Sequence, residues 1–308
     1  MIKDIPLILI GYNRPELIKN RLKEISAMPI SKLYINIDFE SDEMIQSMQN
    51  IINNFENNHK NDFLIEKNIQ NRNLGLNDHI FFSINKCLEE NENFILVEDD
   101  IKLSPNFYNN MLNGFNLQSS EQELGYIGGF SPLNLSNFLC KKNYWRKTIY
   151  FSCWGWGTNK KTWSLYQEKL DFIDINQEMK ISKTWKSLNS WQRYLWLHRF
   201  RKMQMYPKST WDIQFQYISF LHDFYNLVPV NRFVDNEGYS DIRASHTIEG
   251  KPFWFKNGFN NVQIQKQEIP EIISRTINKL IDSNTVAGDG RLTKMYLDFK
   301  NKWNIFRK

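Results

Sequence analysis

Cysteine is scarce in this chain: 308 residues carry three, Cys87, Cys140 and Cys153. An odd number at these spacings makes neither a disulfide framework nor a zinc site, and it points to a reducing, cytoplasmic compartment. Long apolar runs are missing as well. No stretch approaches the ~20 consecutive apolar residues that a membrane-spanning helix needs. The opening MIKDIPLILIGYNRPE has a short apolar centre, but Tyr12-Asn13-Arg14-Pro15 follows it in place of small residues, so it reads as a first strand and not as a signal peptide. Neither sign of charge prevails. With 39 Lys and Arg against 34 Asp and Glu, the net charge of +5 is too mild for a nucleic-acid-binding face, though it suits a protein that handles anionic ligands. No internal repeat and no linker composition interrupts the chain. What is present in surplus is aromatic residues, at 15% with 10 Trp, and that surplus needs a reason.

The first hundred residues alternate in type. Apolar β-rich runs at 5–10, 33–37, 63–65 and 94–97 are separated by helical patterns. Pro15 opens the first helix, at a favoured first-turn position, and Leu17, Ile18, Leu22 and Ile25 share one face of it. Met44, Ile45, Met48, Ile51, Ile52 and Phe55 mark the second helix, and residues 77–90 the third. This βαβαβαβ order predicts an α/β fold with a mostly parallel central sheet flanked by helices. Such sheets bind ligands beyond the carboxyl ends of their strands. Tyr12 and Arg14, Asp38, and the run Glu98-Asp99-Asp100 all fall at those ends. The second half differs: residues 125–165 are rich in Gly, Trp and Tyr, residues 168–205 read as helical, and a further helix follows Trp211.

Three consecutive acids closing an apolar strand repel one another, and burying any of them costs free energy unless a positive partner is present. Either they are solvated at a strand end or a cation belongs there. A hard divalent ion such as Mn²⁺ or Mg²⁺ binds one or two carboxylates together with substrate phosphates, which this arrangement suits. Asp212 follows Trp211 at the start of an apolar helix, where it is either a base or a helix cap, and Asp223 and Asp235 are the other acids to weigh. His79 and Arg72 flank the turn NRNLGLND. Trp154-Gly155-Trp156 interleaves indoles, which stack on the apolar faces of sugars, with a glycine that lets backbone approach a ligand; the same rings also pack cores.

On these residues the chain resembles a known family. ILVEDDIKLSPNFYNNM is similar to the metal-binding segment of GT-A glycosyltransferases, in the EDD form of the N-acetylglucosaminyltransferase I type and its bacterial relatives. PLILIGYNRPELIKNRLKEI, LYINIDFESDE and NRNLGLNDHIFFSINKCL resemble the segments leading to it. FSCWGWGTNKKTW is similar to a Trp-Gly-Trp stretch of bacterial polysaccharide-locus transferases. The resemblance spans roughly residues 5–250. It implies a GT-A fold and transfer of a sugar from a UDP-sugar to a hydroxyl of a glycan or lipid-linked glycan acceptor. It further implies a Mn²⁺ or Mg²⁺ cofactor held by Asp100 and by a late His, His246. Tyr12, Arg14, Asp38, Arg72, His79, Glu98 and Asp99 would meet the nucleotide sugar, and Trp154, Gly155, Trp156 and Trp211 the transferred sugar or acceptor. Asp212 would be the general base of an inverting reaction. Residues 1–125 would form the nucleotide-sugar half and 126–308 the acceptor half with a helical tail, packed as one body.

Two other functions compete. A sugar nucleotidyltransferase would want a glycine-rich phosphate loop after the first strand, and GYNRPE is not one. A binding protein without activity would not need the acid run. The basic-aromatic end KMYLDFKNKWNIFRK suggests weak peripheral contact with the inner face of a membrane, where lipid-linked acceptors are met.

Overall fold

The computed structural model describes residues 2, 4–117, 123–132, 143–170, 174–239, 243 and 263–279. Its first part is the alternation expected: β1 (Leu7–Gly11), α1 (Pro15–Ile25), β2 (Lys32–Ile37), α2 (Asp42–His59), β3 (Leu64–Ile69), α3 (Leu76–Leu88) and β4 (Asn93–Glu98). β1 lies between β2 and β4, β2 pairs with β3, and all three pairings are parallel. The chain then adds β5 (Ile101–Leu103), α4 (Phe107–Leu117), β6 (Leu124–Gly128), β7 (Asn143–Thr148) and β8 (Trp156–Asn159). Four short helices and one long one follow in the order α5 (Lys160–Trp163), α6 (Ile175–Glu178), α7 (Lys183–Ser187), α8 (Ser190–Met205) and α9 (Asp212–Leu221). β9 (Tyr225–Pro229), β10 (Val234–Asn236), β11 (Ile264–Glu268) and α10 (Glu271–Ile277) complete the described elements.

Nine strands form one sheet in the order β11-β7-β9-β6-β8-β4-β1-β2-β3. β8 runs antiparallel between β4 and β6, and β7 runs antiparallel to β9, so the sheet is mixed in its second half. Its centre is covered on both faces, which is why β1 and β4 read as continuous apolar runs. Successive residues still divide by the two-residue period of a strand. Leu7, Leu9, Ile95 and Val97 join one core with α1, α2 and α4, while Ile8, Ile10, Phe94 and Leu96 join the other with α3, α8 and α9. β3 is the edge strand, and its polar sequence LIEKNI, half in contact with water, hides most of its length from an apolar-run reading.

The helical pattern expected over residues 168–205 is broken into three. Ser182 caps α7 by accepting from the Trp185 N–H, and Asn189 with Gln192 forms a reciprocal capping box that starts α8 anew. The aromatic surplus is largely structural. Trp156 stacks on Trp211 at 5.4 Å between ring centres and meets Phe94 and Phe151 edge-on at 5.2 and 5.0 Å. No helix among the described residues is long and apolar enough to cross a membrane. His246 and the basic-aromatic tail, residues 294–308, lie outside the described residues.

Gly157 sits at the centre of the β4–β8 pairing, opposite Ile95 and Ile127. A Cβ there would lie 2.3 Å from the Phe94 carbonyl oxygen, which is backbone and cannot turn aside. Gly157→Ala is therefore expected to lower unfolding stability by about 1–3 kcal/mol in urea titration, the usual cost of forcing atoms into a filled core; an unchanged midpoint would show that β8 yields more easily than this pairing implies.

Candidate active site

A cavity of about 510 Å³ opens at the carboxyl ends of β1, β2 and β4, a size that accommodates a ligand of a few hundred daltons. The parallel register brings Ile10 beside Glu98, so the two strands leave the sheet together and deliver Arg14 and the acid run to one place. Arg14 precedes α1 without capping it. Its guanidinium turns onto the acids instead: Nε donates to Asp99 Oδ2 at 3.2 Å, Nη2 pairs with Asp99 Oδ1, and Nη1 donates to Asp100 Oδ2 at 3.1 Å. The expected contact of Arg14 with a phosphate or base is thereby replaced by an ion pair, because Asp99 is almost wholly buried and needs the countercharge.

One guanidinium does not satisfy the whole cluster. Burial, and then Asp100, Asp99 and Asp212, push the Glu98 carboxyl up to about 8. Burial also raises Asp99, to about 7, against the pull of Arg14. Glu98 and Asp100 are each partly exposed, and all three acids line the cavity. Asp100 Oδ2 lies 2.4 Å from where a Cβ on Gly238 would be, so the Gly238 backbone packs against this carboxylate and a side chain at 238 would displace it. That segment is held in place by the β5–β10 pairing and by the Glu237 N–H, which donates to the Asp100 carbonyl at 2.8 Å.

Asp38 and His79 form the opposite wall. Asp38 is buried and already engaged: it accepts from the N–H groups of Phe39 and Leu74, each at 2.9 Å, and of Gly75 at 3.0 Å. Asp38 thus shapes the 73–75 turn that lines the cavity, and one lone pair of Oδ2 remains for a ligand. His79 is buried in the first turn of α3, and its Nε2 has no hydrogen-bond partner. Burial lowers its pKa to about 4 in spite of Asp38, so it offers a phosphate no positive charge near neutral pH.

From the second half come Cys153, Trp154, Thr210, Trp211, Asp212, Asn236, Tyr239 and Arg243. Asp212 is the first residue of α9, and the cap position is Trp211, which makes no side-chain cap. Asp212 is therefore not a helix cap; its Oδ1 accepts from the Thr210 hydroxyl. Asn77 fixes the preceding turn by donating to the carbonyls of Pro207 at 3.0 Å and Thr210 at 2.9 Å.

Five residues weighed from the sequence do not line the cavity. Trp156 is fully buried, with its ring enclosed by Phe94, Phe151 and Trp211, so no face is open to a sugar. Gly155 lies outside the cavity; it adopts φ +61°, and its carbonyl accepts from Gly129 N–H at 2.7 Å. Arg72 is exposed and does not line the cavity, where its neighbour Asn73 does. Asp223 is no alternative base: its carboxylate caps α7 through the N–H groups of Lys183 and Thr184 and lies in a different cavity. Asp235, on β10, does not line the site either. Sequence reading missed Asn73, Thr210, Asn236, Tyr239 and Arg243. Thr210 was accessible through its place beside Trp211-Asp212, whereas Asn236 and Tyr239 arrive only through the β5–β10 pairing.

No family model matches the chain. No curated protein matches it in sequence. Among solved structures it is similar to a mannosyltransferase from Pyrobaculum calidifontis in complex with GDP-Man and Mn²⁺, at 12% identity and TM-score 0.43 over 72% of this chain and 69% of that one. It is also similar to a UDP-glucose pyrophosphorylase complexed with UDP-glucose, at 10% identity and TM-score 0.34 over 73% and 89%. A third is the inositol-1-phosphate CTP transferase from T. maritima, at 11% identity and TM-score 0.34 over 54% and 75%. At these scores the functional reading has to stand on the residues of the cavity.

The neutral His79 carries a testable pH signature. It protonates at the ordinary 6.5 when unfolded and near 4 when folded, so between these values the unfolded chain binds more protons and stability falls as pH falls. Between pH 7.5 and 5 this one group should cost about 2 kcal/mol, and His79→Gln should lose that much less over the same interval in urea titrations. Equal losses in the two proteins would place the imidazole in contact with water.

Proposed function

We propose that the protein is a metal-dependent glycosyltransferase that moves a sugar from a UDP-sugar to a hydroxyl of a glycan or lipid-linked glycan, with inversion. The observation that carries this reading is the meeting, in one cavity, of the Arg14-paired acid run on β4 and of Asp212 at the start of α9. The acids suit an anionic donor only with a cation between them, and Asp212 suits an acceptor that must lose a proton. In this reading residues 1–125 supply the donor side and residues 126–308 the acceptor side.

Among the described residues no group of three or more His, Cys, Asp and Glu is arranged to hold a metal by itself. A site of one or two carboxylates completed by substrate phosphates fits what is present. Asp100 would hold the ion, with Asp99 behind it fixed by Arg14. A divalent cation bound there supplies Lewis-acid stabilisation to the departing diphosphate. Asp38, with its remaining lone pair, and the Nε2 of His79 offer hydrogen bonds to the nucleotide.

On the acceptor side Asp212 takes the proton of the attacking hydroxyl as that oxygen bonds to the anomeric carbon and the bond from that carbon to the diphosphate oxygen breaks. The Thr210 hydroxyl holds the carboxylate in one orientation. Trp154, partly exposed in the cavity wall, offers apolar surface to a sugar ring, while Trp211 is buried, at 2% accessible, and stacked on Trp156. A nucleotidyltransferase reading fits less well. Gly11, the last residue of β1, packs against the Ile18 side chain, and the Tyr12-Asn13-Arg14-Pro15 that follows it is not a glycine-rich phosphate cradle.

Calorimetry with UDP, with and without Mn²⁺, and a UDP-release assay over a panel of nucleotide sugars test the reading. UDP binding should need the metal and should be lost in Asp100→Ala. Asp212→Asn should keep UDP affinity and lose at least about 100-fold in kcat, the scale of a missing general base. Undiminished turnover by Asp212→Asn would remove it from the chemistry, and metal-independent binding by Asp100→Ala would remove the cation site.

A further inference from the structure

Residues 179–211 contain no Asp or Glu and eight Lys or Arg. α8 is the longest element in that stretch. Trp196, Phe200 and Met203 are its buried side, packed into the core with α9. At 100° per residue, Trp191, Tyr194, His198, Arg201, Lys202 and Met205 fall within an arc of about 100° on the opposite side. All six are exposed. Trp191 is 63%, Tyr194 59% and Met205 65% accessible, and Tyr206 follows at 61%. The rings of Trp191 and Tyr194 stack on each other, 5.6 Å apart and 19° from parallel, and so present one apolar plate. Ile181, earlier in the same stretch, is 74% accessible.

Single exposed apolar residues are ordinary, but one helix side that exposes a stacked indole-phenol pair at one end and a thioether at the other, with cations between them, is not. Indoles and phenols sit at headgroup level in a bilayer, a thioether reaches the acyl boundary, and each cation near an anionic surface adds about 1 kcal/mol. A single-stranded nucleic acid would also use rings and cations, but Met205 and Ile181 offer its bases no stacking surface. The position of the face matters as much as its composition. α8 runs directly into Pro207 and Thr210, which Asn77 ties down, and then into Asp212, so the Met205 end of the stripe is five residues of chain from Thr210 in the cavity wall and the Trp191 end is about 20 Å farther along the helix.

We propose that this face of α8 docks the protein on an anionic lipid bilayer, with the cavity mouth beside the membrane surface. The surface is distinct from the tail at residues 294–308, and it does not depend on the chemistry proposed for the cavity. Co-sedimentation of the full chain with phosphatidylglycerol-containing vesicles and with pure phosphatidylcholine vesicles tests it. The chain should pellet with the anionic vesicles at low salt, less so as salt rises, and not with the neutral ones. Trp191→Ala/Tyr194→Ala and Arg201→Glu/Lys202→Glu should each weaken binding at least about fivefold. Both alter only exposed side chains, and unchanged circular dichroism and an unchanged urea midpoint would show that the fold is intact. Absence of binding to anionic vesicles, or wild-type binding by both double variants, would overturn the proposal. So would binding of a short single-stranded RNA in place of vesicles, or a dimer that Trp191→Ala/Tyr194→Ala dissociates.

Discussion

Arg14 commits its Nε and both terminal nitrogens to the carboxylates of Asp99 and Asp100, and the rest of the site is arranged around that fork. Bidentate pairing of this kind is geometrically demanding, so it needs two chain segments delivered in fixed register. Parallel pairing of β1 with β4 does that by setting Ile10 beside Glu98. Pro15 then starts α1 at once, so the turn carrying Arg14 cannot wander. The pair leaves a deficit. Burial pushes Glu98 up, with Asp100, Asp99 and Asp212 adding to the rise and Arg14 opposing it. Asp38, Glu98, Asp99, Asp100 and Asp212 line the cavity against Arg14 and Arg243, so carboxylates outnumber guanidinium groups there, and a divalent cation as proposed would offset that excess.

A second buried arginine carries the fork's consequences into the other half of the chain. Arg21, 1% accessible on α1, pairs with Glu24 at 3.0 Å and with Glu237 at 2.9 Å. Glu24 in turn accepts from the Leu103 N–H at 2.9 Å. α1, β5 and the segment after β10 are therefore tied together directly beneath Asp100. Such a buried network adds little net stability, because desolvation offsets most of the attraction, but it specifies one arrangement of the 236–239 segment. Asn236 and Tyr239 line the cavity, and Gly238 packs against Asp100, from that segment.

The sheet and the donor-side wall were legible from sequence because both depend on local rules. A four-residue apolar run ending in acids, a proline after a strand, and alternation of strand and helix each have a short-range cause. The acceptor side was less legible. Trp156 and Trp154 are chemically alike and two residues apart, and nothing in FSCWGWG says which is enclosed. Arg72 and Asn73 are neighbours, and the choice between them is made by Asp38, which takes the Leu74 and Gly75 N–H groups and turns the backbone so that Asn73 faces inward. The helical segment was readable as helical but not in pieces, since Ser182 and Asn189 act as caps only once their hydrogen bonds are made. Asp212 lies in the cavity wall at the start of α9, and the Thr210 hydroxyl, not the cap position, is what orients it.

Gly155 explains how two such similar tryptophans come to serve different ends. In a regular strand, residues two apart face the same side. At φ +61°, a conformation that glycine adopts without steric cost, the chain is turned between them. A Cβ at Gly155 would also lie 2.9 Å from Val234 and 3.0 Å from Phe107, so space as well as conformation excludes a side chain. Trp156 consequently joins the core of α3, α8 and α9, and Trp154 packs against the other core. There Trp154 meets Tyr239 edge-on at 5.8 Å. Tyr239 belongs to the segment that the Arg21–Glu237 pair holds beside Asp100, so the Trp154 indole and the Asp100 carboxylate are braced by the same few residues. The Trp-Gly-Trp sequence thus acts first as a device of the fold, and it is as such that it delivers one aromatic ring to the cavity.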